Sequence, residues 1–350
     1  MSTSLQFAPA VAITGGAVLG ICAAGKWLLT GRTLGISGGV KGWLTGDWKP
    51  WRLAFNGGLL AGGIVAGALA PAVFEAPPST FTVARAALGG LLVGLGASLG
   101  NGCTSGHGIC GNARLSPRSL AYTLLFMASG AAAATLTGTA AALGVADAAP
   151  QLALPPLGDP QLQKGAVLAA LSVLSLVGLA AAAESLSRRA VALAAEAMCG
   201  FLFALGLTYT QMVRPAKVAA FLSPLSRCWD PSLMLTMGGA LAVALPAFQF
   251  VKRSASAPAK PLAEECFLEP AASGIDARLV VGGLLFGAGW GLSGMCPGPA
   301  LVSLVARLPP PPQVAAYCGA MAVGMAVDCA ACGTLVCAPT RASKAEEKKA

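Results

Sequence analysis

The chain has 350 residues, of which 55% are hydrophobic and only 11% charged, and its mean hydropathy is +0.71. Soluble domains carry about 25% charged residues, so this composition excludes an ordinary soluble fold and points to an all-α integral membrane protein. A net charge of +9 would suggest nucleic acid in a soluble chain. Here the lysines and arginines fall between apolar runs, where topology and lipid headgroups account for them, and no nucleic-acid partner is expected.

The 45 glycines are spread through the apolar runs, as expected where small residues let membrane helices pack closely. The eleven cysteines show no zinc-finger spacing, so neither a metal nor another cofactor is expected. No secretory signal or transit peptide is read at the start, because no basic n-region or cleavage site precedes the first apolar run.

A hydrocarbon core about 30 Å thick needs roughly 20 apolar residues of helix. Nine stretches qualify: 8–29, 53–74, 84–102, 120–145, 165–184, 190–212, 232–250, 277–295 and 314–337. Four apolar pieces, 33–44, 105–115, 215–225 and 297–305, are too short to cross and read as half-helices or re-entrant segments. The Pro- and Gly-rich linker 147–163 separates a first half, 1–146, from a connecting span at 164–189 and a second half at 190–340. Residues 252–273 read as an exposed loop, and 341–350 as a charged, disordered tail. Of the 23 Lys and Arg, 17 fall on the face that holds the C-terminus and 6 on the other. This bias predicts a multi-pass protein with its C-terminus in the cytoplasm, or on the stromal or matrix side of an organelle.

The most informative stretch is Gly100-Asn101-Gly102-Cys103-Thr104-Ser105-Gly106-His107-Gly108-Ile109-Cys110-Gly111. It closes a glycine-spaced apolar run and holds five glycines, two cysteines and the single histidine of the chain. Glycines let backbone approach backbone or ligand closely, and five at the end of an apolar helix predict a deliberate break. Broken backbone at membrane depth persists only where protein or a water-filled cavity satisfies it. Two readings follow: a solute pathway around Cys103, or a helix-packing turn with an inert buried thiol.

The chain repeats this feature. Residues 89–103 align without gaps on 282–296, with eight of fifteen positions identical and both ending on a cysteine, Cys103 and Cys296. A weaker correspondence links 33–40 with 210–218. Four spans plus the connecting one turn the second half over, which predicts two inverted-topology repeats with a site near the midplane at discontinuous helices.

Cys103 and Cys296 then fall at breaks that face the centre, with Thr104 and Ser105 predicted to cap the piece after Cys103 and Pro297 suited to a first helical turn. Half-helix N-termini offer free amides and partial positive charge to an anion. A neutral thiol is a weak, polarizable donor that suits passage, whereas a thiolate would suit persulfide exchange.

His107 is either a gate that binds an anion when protonated or a hydrogen-bonded structural histidine. Cys110 shares a helical face with the path or packs in the core. Lys217 and Lys26 are intramembrane cations, functional by default unless they snorkel to the interface. Arg114 and Arg118 attract an anion or serve topology. Asp328 lies inside an apolar run, and Cys329 and Cys332 beside it have redox spacing that on a helix usually means two packed thiols. Cys22 and Cys199 occupy similar mid-span places in the two halves, touching the path or filling the core.

The run from Gly100 to Gly111, followed by Ala113-Arg114-Leu115-Ser116-Pro117-Arg118-Ser119, resembles the signature of the YeeE/YedE sulphur-transport family, whose members include thiosulfate transporters. Gly31-Arg32-Thr33-Leu34-Gly35-Ile36-Ser37-Gly38 resembles its first short motif. The second half resembles the companion YedE-like unit through Met212-Val213-Arg214-Pro215-Ala216-Lys217-Val218, Trp229-Asp230-Pro231-Ser232-Leu233 and the run from Gly289 to Ala300. The resemblance implies a transporter or channel for a small sulphur-containing solute such as thiosulfate, with Cys103 and Cys296 lining its path. The shorter motifs also bring cysteines in thiosulfate transporters, and here Ser37 and Met212 stand in those places.

No hydrolase, dehydrogenase or nucleotide-binding motif occurs, so no catalytic residue and no ATP-driven pumping is expected. The alternatives to a sulphur permease are a membrane persulfide relay, with Cys103 handing sulphur to a cytoplasmic acceptor, and a non-sulphur small-solute channel.

Overall fold

The computed structural model describes residues 7–147, 156, 158–254, 256–268 and 274–332. These residues are helical almost throughout, and among them no strand occurs beyond an isolated bridge between Arg32 and Leu268. The helices are α1 Pro9–Thr30, α2 Ile36–Leu44, α3 Pro50–Leu69, α4 Val83–Gly100, α5 Pro117–Leu136, α6 Thr139–Ala142, α7 Pro160–Ala181, α8 Arg188–Tyr209, α9 Pro215–Phe221, α10 Ser232–Arg253, α11 Ala277–Ser293, α12 Pro297–Ala306 and α13 Pro312–Ala331. A π-helical piece, Thr104–Gly111, lies between α4 and α5.

Among the described residues, nine candidate spans are long and apolar enough to cross a membrane, one of them, Ala277–Ala306, combining α11 and α12. Proline opens α1, α3, α5, α7, α9, α12 and α13, a position where its missing amide hydrogen would have no helical acceptor.

Several boundaries differ from the sequence expectation. The fourth span stops at Leu136, where Thr137 caps the helix and Gly138 turns left-handed (φ 57°) before the single turn of α6. The second span runs from Pro50 and ends at Leu69, two residues before Pro71 opens a 3₁₀ turn. The piece expected at 105–115 is a π-helix of eight residues, and Leu115 itself is left-handed at φ 56°. Residues 333–337 of the last expected span, the tail 341–350, most of the linker 147–163 and part of the loop 252–273 lie outside the described residues.

The four short pieces share one geometry. Each is preceded by a residue in the left-handed region: Gly31 (φ 66°) before α2, Asn101 (φ 59°) before the π-helical piece, Gln211 (φ 58°) before α9 and Gly294 (φ 67°) before α12. At the second of these the Gly102 amide donates to the Ala97 carbonyl and the Asn101 amide to the Ser98 carbonyl. That pairing closes a helix end by satisfying its last carbonyls. The Met212 and Gln211 amides repeat it on Leu207 and Thr208 at the end of α8.

The most extensive helix packing is α4 on α11 and α13, α11 on α5, α3 on α8, and α1 on α10 and α8. Every one of these joins a helix within 1–146 to one within 190–340. The α4–α11 crossing is antiparallel and built on glycine: a Cβ on Gly289 would lie 2.5 Å from the Gly89 carbonyl oxygen, and one on Gly96 2.6 Å from that of Gly282. By contrast α7 packs mainly on α1 and α8, and presents Val167, Leu171, Leu174 and Val177 outward.

Candidate functional site

The site is built at the two breaks that follow α4 and α11. After Asn101 and Gly294 the chain passes one residue and then extends at Cys103 (φ −136°, ψ −168°) and Cys296 (φ −101°, ψ 159°). Each cysteine is the N-cap of the following helix, and neither side chain bonds a cap amide. Thr104 and Ser105, expected to cap, instead lie inside the first turn. The closure of α4 on Ala97 and Ser98 uses up Asn101 and Gly102, which leaves the N-cap position to Cys103. One of the two hydroxyls meets a thiol: Ser105 Oγ lies 3.3 Å from Cys103 Sγ.

Two cavities share the segment 102–107 as a wall. The inner one, about 20 Å³, is lined by Cys103, Thr104 and Ser105 together with Met212, Gly298, Pro299 and the apolar side chains of Leu19, Ile36, Phe203 and Leu207. Its size corresponds to about one water molecule. Cys296 is buried beside it, 1% exposed like Cys103, while its neighbours Gly298 and Pro299 form the wall.

The larger cavity, about 310 Å³, is lined by Ser37, Asn101, Gly102, His107, Ser119 and the basic residues Arg114, Arg118 and Lys252. Ser37 therefore faces this vestibule rather than the inner cavity, and its buried Oγ has no hydrogen-bond partner among the described residues.

His107 lines the vestibule but is held on both sides. Its Nε2 is 3.2 Å from the Gly100 carbonyl and its Nδ1 is 3.0 Å from Ser119 Oγ, and the ring lies on Tyr122 with centroids 4.4 Å apart. A carbonyl only accepts, so Nε2 carries the hydrogen and Nδ1 accepts from the hydroxyl. Arg118 donates to the Gly274 carbonyl and reaches Asp276 Oδ2 at 3.3 Å. The Leu279 amide and then Arg118 hold the Asp276 carboxyl below the usual carboxylate range.

The remaining candidates lie elsewhere. Cys110 is fully buried in the core. Lys217 is buried 3.6 Å from Asp230, away from both cavities. Lys26 does not reach the interface: its Nζ is 2.5 Å from the buried Glu196 carboxylate and 4.1 Å from the centroid of Phe55. Asp328 receives Ser98 Oγ and Arg278, each at 2.6 Å, with Lys41 at 3.6 Å. Cys332 is exposed on the same helix, and Cys22 and Cys199 are buried where α1 meets α8.

The sequence reading did not single out Glu196, Tyr122 or Tyr317, and it named Asp230 only within the motif 229–233. The two tyrosines had a signal: they are two of only three in the chain, and they follow Cys103 and Cys296 at nearly equal spacing.

Comparison with known proteins agrees with the first half of this arrangement. A family described as sulphur transport matches residues 2–133, and a family of unknown function, DUF6691, matches residues 191–331. A protein of Xylella fastidiosa (strain 9a5c) named a probable transporter is 44% identical over 140 residues, which are 40% of this chain and 88% of that protein. A second probable transporter, from the Temecula1 strain, is 43% identical over 129 residues, 36% of this chain and 93% of that protein. No solved structure matches the chain. The chain belongs to the sulphur-transport (YeeE/YedE) family through its first half, and carries a DUF6691 second half on the same polypeptide.

Proposed function

We propose that the chain is a multi-pass membrane transporter that passes thiosulfate or a related small sulphur anion between two interlocked halves, along a path past Cys103 and Cys296. One observation carries this reading: the inner cavity gathers Cys103, Thr104 and Ser105 from the first half with Met212, Gly298 and Pro299 from the second. An anion entering such a space loses hydration at a cost of several kcal/mol unless donors replace the water. Helix N-termini at both cysteines supply amides and partial positive charge. The thiols and Met212 add weak, polarizable contacts that a solute can leave as readily as it enters. Arg114, Arg118 and Lys252 around the vestibule raise the local anion concentration.

The halves 1–146 and 190–340 act as inverted repeats about this centre, with 164–189 as the connecting span. In support, Gly89 and Gly282 correspond in the internal alignment, as do Gly96 and Gly289, and each meets the other's counterpart across the α4–α11 crossing. The ion pairs also sort by face. Arg118–Asp276, Arg278–Asp328 and Lys41–Asp328 lie on the face rich in Lys and Arg, which favours a cytoplasmic C-terminus.

A cavity the size of one water is too small for thiosulfate. The 102–107 wall must therefore move during a transport cycle, and the glycines of 100–111 give it the backbone freedom to do so.

The test is uptake of labelled thiosulfate by proteoliposomes holding wild type, Cys103→Ala or Cys296→Ala. Each substitution is expected to lower uptake at least about tenfold, the effect of about 1.4 kcal/mol on passage, with expression and melting temperature kept. Wild-type uptake in both single variants would overturn the path.

A further inference from the structure

Tyr122 and Tyr317 occupy equivalent places behind the two breaks, and both side chains are 0% exposed. The Tyr122 hydroxyl shares its one hydrogen between the carbonyls of Gly96 at 3.0 Å and Gly102 at 3.4 Å. The Tyr317 hydroxyl donates to the carbonyl of Met295 at 2.7 Å. Gly102 and Met295 are the residues immediately before Cys103 and Cys296, and they are matched positions of the internal alignment. The approach is reciprocal as well. Gly90 of α4 lies against the backbone of Tyr317, and its counterpart Gly283 of α11 lies against Tyr122, where a Cβ would be 3.4 Å from the ring.

In a trans peptide the carbonyl and the amide hydrogen point in opposite directions. A tyrosine that holds the Gly102 carbonyl therefore turns the Cys103 amide away from itself. The Met295–Cys296 peptide is fixed in the same way by Tyr317. Among the described residues neither cysteine amide donates to a backbone or side-chain acceptor. Neither tyrosine lines the inner cavity, whereas Cys103 does. At the second break Gly298 and Pro299 line that cavity, and Cys296 is buried beside it.

The direction of these peptides decides which ions the path favours. Carbonyls turned into a narrow path replace the water around cations, as in cation-selective filters. Amides turned into it do the same for anions.

We propose that Tyr122 and Tyr317 are paired positioning residues that make the central path anion-selective, each withdrawing the carbonyl before a cysteine so that the cysteine's amide faces the solute. This rests on the anion path proposed above. His107 assists on the first side by holding the Gly100 carbonyl, so the break after α4 has two clamps and the break after α11 has one. Loss of the Tyr317 hydroxyl therefore weakens its side more than loss of the Tyr122 hydroxyl weakens the other.

Tyr→Phe removes only the hydroxyl and leaves the packed ring. The experiment measures KM and Vmax for labelled thiosulfate in proteoliposomes of wild type, Tyr122→Phe, Tyr317→Phe and Tyr209→Phe. The last removes a hydroxyl that holds the Gln161 carbonyl and does not line the inner cavity. Melting temperatures are recorded alongside. KM is expected to rise roughly fivefold or more in Tyr317→Phe, as for loss of a net hydrogen bond's effect on binding. It should rise less in Tyr122→Phe and stay at wild type in Tyr209→Phe, with Vmax changing less than KM.

A lower melting temperature with wild-type KM in both Tyr122→Phe and Tyr317→Phe would make the tyrosines merely structural and overturn the inference while leaving the anion path standing. Absence of thiosulfate, sulfite and sulfide uptake by wild type would overturn the anion path, and this inference with it. If one variant does not fold, the KM of the other decides.

Discussion

At the scale of single residues, the least tolerant place in the molecule outside the path is the pair Lys26–Glu196. A charge within a membrane span persists only when it is paired or faces a cavity. Lys26 meets that condition through a 2.5 Å contact with Glu196 and the face of Phe55, and the second oxygen of Glu196 accepts from the Thr30 hydroxyl at 3.2 Å. Arg32 stands farther off, at 3.9 Å. Removing one charge leaves the other buried without compensation, which typically costs about 3–5 kcal/mol. Glu196→Gln is therefore expected to lower the melting temperature sharply in detergent, whereas the double variant Lys26→Met with Glu196→Leu should recover most of the loss. Equal losses in the single and double variants would show that the two charges are not coupled. Lys26 also shows what a sequence conceals. Its position near a helix end suggested snorkelling, because the partner that holds it lies 170 residues away on α8.

At the scale of helices, glycine governs the α4–α11 crossing. A Cβ on Gly96 would run into the Phe286 amide and lie 2.6 Å from the Gly282 carbonyl, and a Cβ on Gly289 would lie 2.5 Å from the Gly89 carbonyl. Both are backbone contacts, so the helices must separate to admit a methyl group. Overpacking of this kind typically costs about 1–3 kcal/mol. Gly96→Ala and Gly289→Ala are each expected to lower the melting temperature by similar amounts. Gly238→Ala on α10 meets nothing within 4 Å and should be neutral or slightly stabilising, since alanine is the better helix former. A Gly238 effect as large as the other two would refute the packing argument.

The spans and the breaks after Thr30, Gly100 and Ser293 were legible in the sequence. Apolar length and glycine clusters are local signals, and they act through the bilayer thickness and the left-handed turn. The position of Cys103 at the break after α4 was legible from the same local pattern. What stayed hidden was that the cysteines occupy the N-cap positions, and the placement of Ser37 in the vestibule. Both depend on how α4 closes on Ala97 and how α2 packs beside Gly102, which are tertiary outcomes. Tyr122 and Tyr317 were hidden for the same reason: a tyrosine within an apolar helix reads as core until the carbonyl it holds is seen.

At the scale of the whole molecule, the two halves do not sit side by side as separate bodies. The main packing partners of α4 are α11 and α13, that of α3 is α8, and those of α1 are α10 and α8, so each half completes its core with helices of the other. A relative whose matched 140 residues make up 88% of its own length is about half as long as this chain, so a half can exist as a chain of its own. Splitting the chain within 148–155 and producing both pieces in one cell is therefore expected to give a complex that co-purifies and takes up thiosulfate, whereas either piece alone should be degraded. The connecting helix α7 has a different role. It packs mainly on α1 and α8 and contributes little to the core, but in the proposed inverted arrangement it supplies the odd crossing that turns the second half over. Deleting 160–184 from the continuous chain leaves the second half to insert in the wrong orientation, set against the positive charges that follow α10. That deletion is expected to abolish assembly, while the split chain that retains α7 transports. Uptake by the α7-deleted chain would sink the inverted arrangement and require the two halves to share one orientation.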